Sequence, residues 1–341
     1  MKLARRMAEI EPFHVMELMA RAKALEAQGR SIVHLEVGEP DFPTPAPILE
    51  AAQRAIAGGD VHYTPALGLP ALREAVAGFY RDRYCREVAP ERIVITAGAS
   101  GALLLALGVL VDPGDEVLLT DPGYPCNRHF VRTLEGRPRG ISVTAESNYL
   151  PTPDRVADAW SDRSRVLMVA SPANPTGTVL TRDQMEALAR VVDSRNGALI
   201  VDEIYHGLTY GLDAATALDA GDQVFVINSF SKYFGMTGWR LGWLVVPEDY
   251  VRPVEKLAQN LFIAPPTPAQ YGALAAFTPD AMAVLEARRG EFKARRDVLL
   301  PGLERIGFRI SRMPEGAFYI YADSSALAAD SFALAHRLIE E

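Results

Sequence analysis

Hydrophobic and polar positions follow two alternating patterns between about Glu91 and Pro247. Short apolar runs rich in β-branched residues are separated by longer segments whose apolar residues recur with the 3.6-residue period of a helix. Uninterrupted apolar runs of this kind are typical of parallel strands that are covered on both faces. The pattern therefore predicts an α/β fold, in which a large domain has three layers, α/β/α, around a mostly parallel sheet.

One helix is marked by its own first residues. Thr181 followed by Gln184 matches a capping box, in which each side chain bonds the backbone N–H of the other residue. The apolar period then continues through Met185, Leu188 and Val192. We expect a helix to begin directly after Thr181.

The two ends of the chain differ from this central pattern. Residues 1–45 combine a polar helix with a proline-rich segment, and residues 281–305 are long charged helical sequence. Residues 308–323 are typical of a strand pair that leads to a last helix. We expect a large domain at 46–275 and a smaller α+β domain formed by 1–45 together with 276–341.

Composition limits the classes of partner. The formal net charge is -8 and both signs are scattered along the chain, which disfavours nucleic acid and acidic membrane surfaces. Two cysteines and six histidines fit no metal-binding spacing, and reduced thiols favour a cytoplasmic protein. The longest apolar stretch, Gly101 to Val111, is too short to cross a bilayer, for which about 20 residues are needed.

Lys232 differs from the other lysines. The chain has only five lysines, and the other four lie in polar helical segments where a solvated charge explains them. An amine at the end of an apolar strand, with little charge around it, has a lowered pKa and is available as a nucleophile or Schiff-base former. The alternative is a lysine whose stem packs at the strand end while its amine reaches solvent.

Residues near Lys232 favour the chemical interpretation. Ser229 precedes it by three positions and Arg240 follows it by eight. A hydroxyl and a guanidinium close to a strand-end lysine are suited to hold a cofactor's phosphate beside the amine.

Polar residues also follow two other predicted strands. Asn174 lies in a turn after one strand, Asp202 ends the next, and Tyr205 comes three residues later. A carboxylate at the end of a buried strand needs a cationic partner or a raised pKa, since an isolated buried charge is costly. The other interpretation is that Asp202 and Arg240 form a purely structural ion pair.

Three segments taken together resemble a known family. The sequences SPANPTG (171–177), VDEIY (201–205) and SFSKYFGMTGWRLG (229–242), in this order and spacing, resemble the class I and II aminotransferases. These are pyridoxal-phosphate enzymes of fold type I, similar to aspartate aminotransferase. The resemblance extends over residues 35–323 and thus over nearly the whole chain.

The resemblance implies a role for each matching residue. Lys232 would carry pyridoxal 5'-phosphate as an aldimine and then move the proton between the substrate Cα and the cofactor. Asp202 would pair with the pyridine nitrogen, and Tyr205 and Asn174 would bond the phenolic oxygen. Tyr124 matches the aromatic residue that stacks on the ring. Amino acids and 2-oxo acids would be the substrates.

A phosphate site is expected at the start of a helix. Residues 96–107 are typical of a strand, a glycine turn and a helix start, where backbone N–H groups can point at an anion. The expected phosphate ligands are Ala99, Ser100, Gly101, Ser229 and Arg240. Tyr63 matches the family's tyrosine that reaches the phosphate of the neighbouring subunit, and the resemblance thereby implies a homodimer.

Three alternative functions remain open at this stage. A nicotinamide-dependent dehydrogenase would use Gly98, Gly101 and Asp121, but the glycine pattern lacks its G-x-G start and gives Lys232 no role. A pyridoxal-phosphate lyase or cyclase, such as a carbon–sulfur lyase, shares the motifs around the cofactor. A catalytically weak protein that binds the cofactor as a ligand sensor is the third.

The sequence departs from the family at its end. Members of the family hold the substrate α-carboxylate with an arginine some tens of residues beyond the strand of 317–320, and Arg337 lies in no matching motif. Either the C-terminal part is truncated, or the carboxylate is bound otherwise, by the backbone at Gly38 together with Asn174. We expect this chain to bind the cofactor but to transaminate poorly, because the arginine that orients the substrate is not matched. No second arginine for a dicarboxylate is evident, which favours neutral or aromatic amino acids.

Overall fold

The computed structural model describes residues 1–341. Its eleven α helices are α1 (His14–Glu26), α2 (Ala46–Gly58), α3 (Pro70–Tyr84), α4 (Gly98–Leu110), α5 (Cys126–Thr133), α6 (Pro153–Ala159), α7 (Arg182–Ser194), α8 (Val251–Leu261), α9 (Thr267–Leu274), α10 (Pro279–Arg305) and α11 (Ser331–Glu340). Its seven strands are β1 (Ile93–Thr96), β2 (Glu116–Asp121), β3 (Arg137–Ser142), β4 (Ser164–Ala170), β5 (Ala198–Asp202), β6 (Val224–Ser229) and β7 (Gly242–Val245).

All seven strands form one sheet in the order β1-β7-β6-β5-β4-β2-β3. The five strands from β3 to β6 are parallel, and β7 is antiparallel to both of its neighbours. This confirms the α/β class and the mostly parallel sheet. Because parallel strands end at the same edge, the residues that follow β4, β5 and β6 come close together.

The sheet separates two hydrophobic cores. Along β5, Leu199 and Val201 pack into one core and Ile200 packs into the other, because successive side chains of a strand point to opposite faces. Buried residues of α3, α7 and α9 fill the first core, and those of α4 and α8 fill the second. Helices thus cover both faces, which confirms the three-layer arrangement.

Two local expectations are confirmed and one strand was missed. The capping box is present, since Thr181 and Gln184 exchange side-chain and backbone hydrogen bonds at the start of α7. The chain also has its last helix, α11. Strand β3 was not predicted, because its sequence RPRGIS is polar and only Ile141 is buried. As an edge strand that pairs only with β2, it needs no apolar pattern.

The strand pair expected at residues 308–323 is wrong. Only one bridge, between Arg309 and Asp323, joins the two halves of this segment. The backbone between them bonds loops of the central domain instead: the N–H of Gly316 donates to Gly177 O at 2.9 Å, and that of Ala317 donates to Leu208 O at 2.8 Å. The segment is thereby held against the end of the sheet.

Residues from the two ends of the chain contact each other. Arg21 forms an ion pair with Glu340, and Arg30 donates to the Glu340 carbonyl oxygen at 2.6 Å. The ring of His14 packs edge-on against Phe332 at 5.2 Å. These contacts support a small domain built from 1–45 and 276–341, whose boundaries stay a prediction. No helix of the structure combines the length and the apolar character needed to span a membrane.

Gly242 lets β7 approach the first turn of α4. A Cβ atom at this position would lie 2.9 Å from the Gly98 carbonyl carbon and 3.0 Å from the Ala99 nitrogen. Both are backbone atoms, which cannot rotate away. Glycine at this position therefore fixes where the free N–H groups of α4 lie relative to the strand ends.

Gly242→Ala is expected to lower the free energy of unfolding by about 1–3 kcal/mol, because the added methyl group must push the start of α4 away. Urea unfolding measures this change. Gly290→Ala is the matched control: it lies inside α10 with no atom within 4 Å of the new methyl group, and it should raise stability by about 0.5–1 kcal/mol. Equal stability of Gly242→Ala and the parent protein would contradict the packing described.

Candidate active site

A cavity of about 510 Å³ lies at the edge of the sheet where β4, β5 and β6 end. Ten of the residues that the sequence singled out line it: Gly38, Ala99, Ser100, Tyr124, Asn174, Asp202, Tyr205, Ser229, Lys232 and Arg240. Gly101 lies in the first turn of α4 directly behind them. A larger cavity of about 930 Å³ adjoins this one along Glu36, Val37, Glu39 and Thr237, but Lys232 does not line it.

Lys232 follows β6 by three residues and points into the cavity. Its Nζ donates a hydrogen bond to the Gly38 carbonyl oxygen and lies 5.6 Å from the centre of the Phe318 ring. Burial lowers the pKa of this amine to about 8; the carboxylate of Glu39 opposes the shift and the Arg240 guanidinium adds to it. The unprotonated fraction of this amine near neutral pH is therefore larger than that of an ordinary lysine, although the protonated form still predominates.

Asp202 ends β5 and is 7% exposed. Burial raises the pKa of its carboxyl group to about 6, while a hydrogen bond from the Ile204 N–H, at 3.0 Å, and the charge of Lys232 oppose this shift. The carboxylate is ionised at pH 7 but poorly solvated. It is suited to bind a cationic group that enters the cavity.

Three polar groups meet on one side of the cavity. The hydroxyl groups of Tyr205 and Tyr319 are 2.7 Å apart, and Asn174 Nδ2 donates to both at 3.4 Å. Burial raises the pKa of Tyr205 well above its ordinary value, so its hydroxyl stays a hydrogen-bond donor. A Cβ atom on Gly38 would overlap the Tyr319 hydroxyl, which places the 36–39 segment directly against this cluster.

Tyr319 was not among the predicted site residues. It lies in the segment PEGAFYIYAD, which contributed to the family resemblance without any role for its tyrosines. Its hydroxyl reaches the cavity because this segment is bonded to the loops after β4 and β5. A tyrosine next to an apolar residue in a loop carries no pattern that separates a site residue from a packed one.

Free N–H groups form an anion-binding corner. The backbone N–H groups of Ala99 and Ser100 lie in the first turn of α4, where the helix itself offers no acceptor, and Gly101 follows them directly. The Arg240 guanidinium is close to them, since a Cβ atom on Gly98 would lie 2.9 Å from Arg240 Nη2. The helix dipole and the guanidinium both favour an anion at this corner.

The two serines near Lys232 differ in their contacts. The Ser229 hydroxyl donates to Leu241 O at 3.2 Å and accepts from the Ser231 N–H at 3.0 Å. Its bonding is thus largely local, although Ser229 lines the cavity. Ser231, which was not predicted as a site residue, also lines the cavity, and its hydroxyl makes no hydrogen bond within the chain.

Two remaining expectations concern aromatic residues. Tyr124 lines the cavity, with its ring edge-on to Phe13 at 6.1 Å. Tyr63 does not reach the cavity of its own chain: it is 82% exposed on the outer surface. Its contact with the site of a neighbouring subunit stays a prediction.

The residues present fit pyridoxal phosphate. A partly deprotonated amine, a buried carboxylate and an anion-binding corner line one cavity. An amine can condense with the aldehyde of that molecule, a carboxylate can pair with its ring nitrogen, and an anion-binding corner can hold its phosphate. Tyr205 and Asn174 add hydrogen-bond donors of the type that its phenolic oxygen would accept from.

Comparison with known proteins gives the same class. Residues 30–341 match the family model "Aminotransferase class I and II". A valine–pyruvate aminotransferase of Mycobacterium tuberculosis is 39% identical over 336 residues, which are 98% of this chain and 86% of that protein. An aspartate/prephenate aminotransferase of Thermus thermophilus is 36% identical, over 99% of this chain and 88% of the relative.

Solved structures agree with the fold. The structure of an aspartate aminotransferase from Thermus thermophilus with maleate superposes with a TM-score of 0.95 at 36% identity, covering 100% of this chain and 90% of that one. The chain belongs to the class I and II aminotransferases. It is a pyridoxal-phosphate-dependent enzyme that uses amino-acid and 2-oxo-acid substrates.

Asp202→Asn should make the apoprotein more stable above pH 6. The folded pKa of Asp202, about 6, lies above its unfolded value of 3.8, so its contribution to stability is lost as pH rises from about 4 to about 6. The asparagine has no such loss. We expect the stability difference to grow by about 2–3 kcal/mol across this window, measured by urea unfolding at several pH values.

The matched control for this titration is Asp213→Asn, at an exposed loop position. It makes the same chemical change at a carboxyl group that solvent reaches. A constant difference for Asp202→Asn would show that this carboxyl group is not desolvated in the folded protein.

Proposed function

We propose that this chain transfers the amino group of a neutral or aromatic L-amino acid to a 2-oxo acid, with pyridoxal phosphate bound at Lys232. The observation that carries this proposal is the arrangement of the cavity. The Lys232 amine, the Asp202 carboxylate and the Arg240 guanidinium of the anion-binding corner all line the same cavity of about 510 Å³.

The cofactor and the chain have separate tasks. When bound, pyridoxal phosphate supplies an aldehyde that condenses with amines and a ring that withdraws electrons from the substrate Cα. The chain must bind the two ends of that molecule, orient the substrate and move one proton. The proposed binding residues at the phosphate end are Ala99, Ser100, Gly101, Arg240, Ser229 and, from the partner subunit, Tyr63.

Lys232 is proposed as the group that moves the proton. Its Nζ is the only amine in the cavity lining, and burial lowers its pKa to about 8. A group whose pKa lies near the working pH both accepts and releases a proton with little penalty. The neighbouring Phe318 and Tyr205 rings limit the paths of the side chain.

Asp202 is proposed to hold the proton on the ring nitrogen, and Tyr205 with Asn174 to bond the phenolic oxygen. A buried carboxylate with a single backbone N–H donor has spare acceptor capacity for an N–H group of the ligand. The stacking partner is Tyr124. These roles follow the family resemblance, and the contacts given above support them.

Charges in the cavity favour a neutral substrate side chain. Phe13, Val15 and Met16 supply apolar surface. The only cations in the lining are Lys232 and Arg240, both assigned to the cofactor, whereas Glu36 and Glu39 would repel a second carboxylate.

The substrate α-carboxylate has two donors available. The backbone N–H of Gly38 has no acceptor within the chain, and Asn174 Nδ2 makes only long bonds, at 3.4 Å. We therefore place the α-carboxylate between Gly38 and Asn174.

A panel of amino donors and 2-oxo acceptors tests the proposal. Transamination should shift the absorbance of the bound cofactor without release of ammonia. Lys232→Ala should lower kcat by at least about 1000-fold, and borohydride reduction should fix the cofactor to Lys232 in the parent protein only. Ammonia release without the spectral change would assign a lyase instead.

A homodimer is proposed from an exposed apolar patch. Val61, Tyr63, Leu261 and Ile263 are each more than half exposed, and a hydrogen bond from Thr267 to His62 O joins the two segments that carry them. A contiguous apolar surface of this kind favours a protein contact. The free thiols Cys85 and Cys126 agree with a cytoplasmic location, which is also proposed.

Tyr63→Arg should raise the dimer dissociation constant more than about 10-fold, because it places a charge in an apolar contact. Analytical ultracentrifugation measures this, and Val298→Arg, at another exposed apolar position on α10, should leave the dimer intact. Tyr63→Phe should keep the dimer but weaken cofactor binding. A parent protein that stays monomeric at all concentrations would refute the proposal.

A further inference from the structure

The turn that follows β5 carries two cavity groups and one buried carboxyl group with no assigned role. Asp202 and Tyr205 line the cavity, whereas Glu203 points to the other side of the strand end and is 0% exposed. The N–H of Glu203 donates to Ile227 O at 2.8 Å, and its carbonyl oxygen accepts from the His206 N–H at 2.8 Å. These two bonds fix the backbone between Asp202 and Tyr205.

The Glu203 side chain makes a dense set of contacts. Its Oε1 accepts from the Thr216 hydroxyl at 2.9 Å and from the Ala217 N–H at 2.6 Å. Its Oε2 lies 3.4 Å from His206 Nδ1. The carboxyl group thus joins the turn at 202–206 to the segment at 216–217, which is distant in sequence.

These contacts suit an uncharged acid. Neither oxygen contacts a cation: Oε1 accepts from the Thr216 hydroxyl and the Ala217 N–H, and the groups near Oε2 are the same hydroxyl, at 3.2 Å, and the His206 imidazole, at 3.4 Å. Burial raises the pKa of Glu203 to about 8, and the adjacent charge of Asp202 acts in the same direction. Burial also lowers the pKa of His206, so the imidazole is neutral.

An uncharged Glu203 has a consequence for the active site. Two neighbouring buried carboxylates would repel each other and oppose ionisation of Asp202. With Glu203 neutral, Asp202 is the single negative charge at this strand end. The imidazole of His206 is held in turn by the Tyr84 hydroxyl at 3.0 Å.

We infer that Glu203 is a positioning residue for amino-group transfer, bound by Thr216, Ala217 and His206 so that Asp202 and Tyr205 keep their places in the cavity. The inference rests on the roles of Asp202 and Tyr205 given under the proposed function. It concerns a residue that contacts neither the cavity nor a bound substrate.

Two substitutions separate shape from hydrogen bonding. Glu203→Gln keeps the acceptor Oε1 and a donor toward His206 without a charge, and it should stay within about 3-fold of the parent protein in kcat and in cofactor dissociation constant. Glu203→Leu removes all these bonds. We expect kcat to fall at least about 10-fold while KM for the amino donor changes little, because the reacting groups are misplaced.

The apoprotein supplies a readout that does not depend on turnover. Hydrogen–deuterium exchange of the 202–206 peptide should be faster in Glu203→Leu than in the parent protein or in Glu203→Gln. Glu50→Leu, an exposed glutamate on α2, is the matched control and should change neither exchange nor kcat. If Glu203→Leu does not fold, Thr216→Val removes one donor at nearly constant shape. It should lower kcat by a smaller factor, again with little change in KM for the amino donor.

Two results would overturn the inference. One is a folded Glu203→Leu, or in its place Thr216→Val, with the kcat and cofactor affinity of the parent protein. The other is a Glu203→Gln variant as impaired as Glu203→Leu, which would mean that a charge is needed. Asp202→Asn, measured in parallel, distinguishes failure of the proposed function from failure of this inference. If Asp202→Asn keeps its activity, the proposed site itself is refuted. If Asp202→Asn loses activity while Glu203→Leu does not, only the role of Glu203 is refuted.

Discussion

The burial of an amine and a carboxylate at neighbouring strand ends is the constraint on which the site depends. Lys232 and Asp202 are both displaced from their ordinary pKa values by loss of solvent, the amine downward and the carboxyl group upward. Each shift disfavours the charged form and therefore costs stability in the protein without ligand. The same shifts make the amine reactive and leave the carboxylate in need of a cation, so the stability cost and the chemistry have one origin.

The sheet makes this arrangement possible because its parallel strands release their polar residues at one edge. Asn174 follows β4, Asp202 ends β5 and Lys232 follows β6, so three adjacent strands each contribute one group. The first turn of α4 reaches the same edge only because Gly242 carries no side chain. Precise placement thus comes from the rigid sheet and one close backbone approach.

Much of this was predictable where sequence pattern and chemistry coincide. An apolar run that ends on a polar residue marks a strand end, and this identified Asp202 and Lys232, while their spacing to other motifs identified the family. Tyr319 and Ser231 were missed because nothing in a loop sequence says which side chain faces a cavity. The strand pair at 308–323 was wrong because its backbone bonds distant loops, which a local pattern cannot register.

The N-terminal segment 36–39 contacts the Lys232 amine directly. The Gly38 carbonyl oxygen accepts the hydrogen bond of the Lys232 amine, and its position is fixed by close contact with Tyr319. In the protein without ligand, this bond partly replaces the water that the amine has lost. The Gly38 N–H has no acceptor within the chain, so the donor proposed for the substrate carboxylate does not compete with the bond that the carbonyl oxygen makes to Lys232.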